Sequence, residues 1–133
     1  MMKKHGFLSA PVAELIALMG HTDRLVICDA GFPVPPGVPR IDLAITRNLP
    51  AMPDVLRVIL EDLAVERFVV ARELPEASQE RYAELLALLP GVPHDLVPHT
   101  EFKRVAHEVR GVIRTGDFVP YSNILLVAGV VFP

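Results

Sequence analysis

The sequence predicts a three-layer α/β domain in which helices cover both faces of a mostly parallel central sheet. Two observations carry this. Leu25-Val26-Ile27-Cys28, Phe68-Val69-Val70-Ala71 and the nine residues from Ile124 to Phe132 are unbroken apolar runs, the pattern of strands buried on both faces. Between them lie segments whose apolar residues recur at helical spacing, and helices alternating with buried strands build such layers. At 133 residues the chain has the length of one domain, with room for a core that needs no disulfide or metal.

Taken in order, Ser9 is suited to cap a first helix, Pro11 fits its first turn, and Val12, Leu15, Ile16 and Met19 supply its apolar stripe. Gly20 follows the last turn. The run Leu25 to Cys28 is then a strand, and Pro33, Pro35, Pro36 and Pro39 stiffen the loop after it. Ile41, Leu43 and Ile45 alternate as an edge-like strand. Met52 to Leu63 reads as a helix with Pro53 and Asp54 in its first turn, followed by the strand Phe68 to Ala71. Glu76 to Leu89 is periodic enough for one helix ended by Pro90-Gly91, and Asp95 to Val97 makes a weak strand. Thr100 is placed to cap a helix running to about Arg114 and closed near Gly116, and the strand Ile124 to Phe132 ends the chain.

Composition removes several classes of function. Sixteen acidic residues against thirteen basic ones give a formal charge of -3, with no basic stripe and no interleaved aromatics, which argues against nucleic acid or an anionic membrane as partner. The longest apolar run, nine residues, is far below the roughly 20 a spanning helix needs. The start, Met1-Met2-Lys3-Lys4, carries the charge of a secretory signal, but Pro11 and Glu14 interrupt the apolar stretch and no small-residue cleavage site follows. A single cysteine, Cys28, has no intrachain partner and fits a reducing cytoplasm. Hydrophobic residues make up 51% of the chain and mean hydropathy is +0.38; this excess predicts an oligomer whose subunits cover apolar surface.

Chemistry concentrates between Gly20 and Pro35. His21 stands just past the first helix, with Asp23 nearby to orient its ring, and is a candidate general acid. Its plain alternative is an exposed turn histidine. Asp29 directly follows a buried strand, so it either caps the next turn or faces a ligand at the sheet's carboxyl edge. His99 and the trio Tyr121, Ser122 and Asn123 supply donors, acceptors and an aromatic face, the inventory for holding a polyhydroxylated ligand, although the trio also suits a plain turn. Metal-ligand spacings, phosphate-cradling glycine loops and a nucleophile elbow are absent from the sequence. Acid/base work on an uncharged polar ligand, without metal or cofactor, is the chemistry this leaves.

In order and spacing, the segments Gly20-His21-Thr22-Asp23, Cys28-Asp29-Ala30-Gly31-Phe32-Pro33, Arg40-Ile41-Asp42, His99 with Phe102-Lys103, Val112 to Gly116, Tyr121 to Ile124 and Ala128 to Val130 resemble the D-ribose pyranase family, part of the group that includes the fucose mutarotases. The resemblance implies interconversion of the β-pyranose and β-furanose forms of D-ribose without a cofactor. It further implies His21 as proton donor and Asp29, His99, Tyr121, Ser122 and Asn123 as substrate-binding residues. Ring-shaped homodecamers of two stacked pentamers, with sites shared between subunits, are the assembly it implies. Thr22 and Gly31 favour the ribose branch, since fucose mutarotases tend to carry Gly-His-Gly-Asp and Asp-Ala-His at these places. The alternatives are a fucose-type mutarotase and a non-catalytic sugar-binding partner of a transport system.

Overall fold

Six strands, β1 (Arg24–Cys28), β2 (Arg40–Asp42), β3 (Val65–Ala71), β4 (His94–Val97), β5 (Gly111–Arg114) and β6 (Ile124–Ala128), form one sheet in the order β2-β5-β1-β6-β3-β4. The computed structural model describes residues 2–132; Met1, at the head of the Lys3-Lys4 start, and Pro133 lie outside the described residues. β5 is parallel to β1 and β2, and β3 is parallel to β4, whereas β6 runs antiparallel to both its neighbours, β1 and β3. Five carboxyl ends and the start of β6 therefore share one edge of the sheet. The mostly parallel sheet is as the sequence predicts.

The layers follow from strand alternation. Leu25 and Ile27 of β1 point into a core with Val12 and Leu15 of α1 (Ala10–Leu18), Leu56 and Ile59 of α2 (Met52–Asp62), Leu74 of α3 (Glu73–Ala77) and Leu85 of α4 (Gln79–Leu88). Val26 and Cys28 point the other way, into a smaller core with Phe102 of α5 (His99–Val105), Ala106, Val112 and Leu125. Each such aliphatic side chain, removed wholly from water, contributes about 1.5–3 kcal/mol. Burial also pushes the Cys28 thiol up to about 12, which makes it a packed, unreactive group.

Five expectations are corrected. The periodic segment Glu76 to Leu89 is two helices: Ser78 is extended, at φ -154, and its hydroxyl accepts from Arg81 N at 3.1 Å, so a cap interrupts the run. The helix expected from Thr100 to Arg114 begins at His99, stops at Val105 and passes through a short 3₁₀ turn, Ala106–Glu108, and residues 111–114 are β5. Val112 and Ile113 are buried in opposite cores, which a strand allows and a helix does not. The last strand ends at Ala128, where β1 has no further residue to pair, and Val131 and Phe132 are exposed. Finally, the edge strand spans only Arg40–Asp42, with Ile45 outside it and exposed; Ser9 precedes α1 without making a side-chain cap bond.

Candidate active site

The topology brings distant residues together at the carboxyl edge. Asp29 follows β1 and Asn123 precedes β6, and because these strands are antiparallel neighbours the two meet: Asp29 N–H donates to Asn123 Oδ1 at 2.8 Å. Gly31 N–H donates to Asp29 Oδ1 at 3.0 Å. Burial pushes the Asp29 carboxyl above its ordinary range, with the Gly31 hydrogen bond opposing it. Asn123 is fully buried, and with Oδ1 occupied its Nδ2 has no partner. That orphaned donor sits beside the carboxylate.

His99 arrives at the same edge from the end of β4. Its ring stands edge-on to Tyr121, with centroids 5.0 Å apart, and to Phe32 at 6.2 Å. Both Glu73 carboxylate oxygens accept from His99 N, at 3.0 and 3.1 Å, which fixes the start of α5. Burial, and next the Lys103 cation, push the imidazole below its ordinary 6.5, so it stays neutral near pH 7. Tyr121 has φ +62, a left-handed conformation unusual for a bulky residue and a form of strain found at ligand sites.

Below this turn lies an ion network. Asp117 is buried and accepts from Arg81 Nη1, from Met52 N at 2.8 Å and from Val119 N at 2.8 Å. Ser122 Oγ donates to Asp117 at 3.2 Å and accepts from Arg81 Nη1 at 2.7 Å. Its hydroxyl therefore holds the turn to α2 and α4 from beneath. Among the described residues, the buried side-chain atoms without a hydrogen-bond partner are Arg81 Nε, His99 Nδ1 and Asn123 Nδ2, all on residues packed on or within the Tyr121–Asn123 turn. Such groups are rare in native folds and call for a ligand or water. Beside them a cleft of about 390 Å³ is lined by Asp29, Gly31, Arg114, Asp117 and Phe118, within the size range of small-molecule sites.

His21 is not part of this cluster within one chain. It precedes β1 whereas Asp29 follows it, and a strand of five residues at roughly 3.3 Å each separates them. The ring's partner is Glu66, whose Oε1 lies 2.5 Å from His21 Nε2. Asp23, expected to orient the ring, instead accepts from Gly20 N at 2.8 Å and pairs with Arg110 at 3.2 Å. The sequence reading thus missed Glu66, Arg81, Glu73 and Asp117. Asp117 carries the signal that singles out Asp29, an acid just beyond an apolar strand, but the helical spacing of residues 102–113 conceals β5. Among the described residues no group of three or more His, Cys, Asp or Glu side chains is disposed to hold a metal ion, and no helix is long and apolar enough to cross a membrane.

A layered sheet carrying this sugar-sized polar cluster at its carboxyl edge defines a class, and the chain belongs to it: residues 2–131 match the model of the RbsD / FucU transport protein family. Within that family it is 50% identical over 131 residues to the D-ribose pyranase of Coprothermobacter proteolyticus, with 98% of this chain and 100% of that one covered. Its backbone matches the solved structure of Bacillus subtilis RbsD complexed with D-ribose at TM-score 0.95 and 44% identity, covering 98% and 100% of the two chains. FucU from Bifidobacterium longum shares the fold at TM-score 0.81 and 19% identity, over 94% and 97%.

Proposed function

We propose that this chain is a D-ribose pyranase, interconverting β-pyranose and β-furanose forms of D-ribose in the cytoplasm. The observation that carries the reading is the pair of unpartnered buried nitrogens on Asn123, bonded to Asp29, and on His99, packed against Tyr121, a donor and acceptor array suited to sugar hydroxyls. Tyr121 packs on the sugar's C–H face, and Ser122 supports the turn. Full-length identity to D-ribose pyranases favours ribose over fucose.

Ring opening needs a proton delivered to the ring oxygen as its bond to C1 breaks, and one removed from the anomeric hydroxyl. The open-chain aldehyde then recloses through a different hydroxyl. Positioned proton transfer typically gives roughly 10²- to 10⁴-fold, sufficient for a reaction that already runs slowly in water. His21 is the acid. Since it sits at the opposite sheet edge from Asp29, a second copy of the chain supplies it, in keeping with the decamer of two stacked pentamers that the resemblance implies. The exposed Val131 and Phe132, just beyond β6 on the His21 side, supply apolar surface for such a contact.

Saturation-transfer NMR on D-ribose tests this. Addition of protein speeds exchange between pyranose and furanose, and His21→Ala loses the gain. Binding of ribose without faster exchange would make the chain a sugar-binding partner instead; faster exchange on L-fucose but not ribose would make it a fucose-type mutarotase.

A further inference from the structure

The carboxylate facing His21 comes from an irregularity in the sheet. Val65 pairs with Ala128 and Arg67 with Val127, so Glu66 is the extra residue of a bulge at the start of β3. Bulges re-aim single side chains and are over-represented beside active sites. This one turns Glu66 Oε1 to within 2.5 Å of His21 Nε2. Gly129 makes room for it: a Cβ there would stand 3.2 Å from Glu66 Cβ and 3.4 Å from Glu66 N.

The imidazole's turn is fastened to the same place. Thr22, at φ +71, donates its N–H to Ala128 O at 2.9 Å, and Ala128 N–H donates to Asp23 O at 2.8 Å. Gly20 N–H closes the turn on Asp23 Oδ2 at 2.8 Å. Acid and carboxylate are therefore both anchored to the end of β6. Their side chains are about half exposed, so the contact adds little stability. What it supplies is direction.

We propose that Glu66 is a positioning residue for proton transfer by His21, fixing which ring nitrogen faces the sugar; this rests on the reading of His21 as the acid. An ionised carboxylate only accepts hydrogen bonds, so Nε2 carries the proton of this contact and Nδ1 is the nitrogen left to work. With both ring nitrogens protonated, Nδ1 gives its proton to the ring oxygen as the bond from that oxygen to C1 breaks and the anomeric hydroxyl releases its own proton to water, leaving a neutral ring with Nε2–H on Glu66. On reclosure Nδ1 regains a proton from the hydroxyl that adds to C1, and water returns one to the carbonyl oxygen.

The test is ¹⁵N NMR of the His21 ring, read with kcat and KM on ribose, for the wild-type assembly, Glu66→Gln, Glu66→Asp and His21→Ala. Wild type shows the neutral ring protonated at Nε2. Glu66→Gln, whose amide donates as well as accepts, gives mixed tautomers, and kcat falls about 10-fold or more, a part of the roughly 10²- to 10⁴-fold of general acid catalysis. KM changes less than about twofold. Glu66→Asp, which keeps the charge, recovers part of the rate. Should His21→Ala abolish activity while Glu66→Gln keeps both its rate and the Nε2–H tautomer, the positioning role is overturned. A lowered melting temperature with no tautomer change overturns it as well. Full activity in His21→Ala would instead remove the underlying assignment of the acid, while the ring spectrum still decides whether Glu66 sets the tautomer.

Discussion

One hydrogen bond joins Asp29 and Asn123 across 94 residues of sequence: the backbone N–H of the first donates to Oδ1 of the second at 2.8 Å. It decides the orientation of a buried amide. With Oδ1 held by the end of β1, the Nδ2 donors face away from that backbone and have no partner, so the amide is poised to donate to a ligand without reorganising.

Removing that amide has two separable effects. Asn123→Ala leaves the Asp29 N–H unpaired in a buried setting, and stability falls by about 1–3 kcal/mol. It also deletes the free donor, and ribose affinity falls by about tenfold. Thermal denaturation reads the first effect and ribose titration the second.

Asp29 itself works against stability. Burial makes its carboxyl hold a proton more tightly in the folded chain than in the unfolded one, whose value stays near 3.8. The folded state therefore binds more protons as pH climbs through and above that value, and stability falls with rising pH across this window. Asp29→Asn removes the ionisation and keeps an oxygen for Gly31 N–H. Its melting temperature gains on wild type as pH is raised from about 3 to about 7, while ribose exchange is lost. A midpoint difference flat in pH would refute the burial origin.

The parts of this site that local sequence reveals are those a single element defines. Asp29 is legible because an acid stops a buried strand, and Tyr121-Ser122-Asn123 because polar residues precede the most apolar one. β5 is not legible: Phe102, Val105, Ala106, Val109 and Ile113 keep a helical spacing straight through it, and only parallel pairing with β1 and β2 makes residues 111–114 a strand. Glu66 is hidden for a different reason. A bulge sets its direction, and nothing in Val65-Glu66-Arg67 marks where the register slips. The layered sheet was accessible from hydrophobic pattern alone, whereas the supports of the site depend on which distant strands become neighbours.

The Arg81–Asp117 pair gives the next test. Asp117 is fully buried, and Arg81 has 12% of its side chain exposed. Asp117→Asn removes Arg81's buried counter-charge, leaving only the half-exposed Glu84 at 3.6 Å, and turns an amide toward donors at Met52 N or Val119 N, so stability falls by about 3–5 kcal/mol. Arg81→Met costs less, because Met52 N, Val119 N and Ser122 Oγ still donate to the carboxylate. Both variants loosen the Tyr121–Asn123 turn and raise KM for ribose. Urea midpoints establish the order, and equal losses would mean that the carboxylate depends on the arginine alone.

His99 offers a prediction with two opposite signs. Burial, then Lys103, hold its pKa below the ordinary 6.5, and Glu73 pulls the other way. A histidine depressed by folding contributes stability that is present above its unfolded value and lost as pH falls through the folded one. Lys103→Gln removes a repelling cation and moves the His99 titration to higher pH; Glu73→Gln removes an attracting anion and moves it lower. Because neutral His99 is the form that accepts a sugar hydroxyl, the acid-side loss of ribose binding moves up in the first variant and down in the second. NMR titration of the ring Cε1–H, paired with ribose binding across the same pH range, measures both shifts, and movement in the same direction would mean that these charges do not govern the ring.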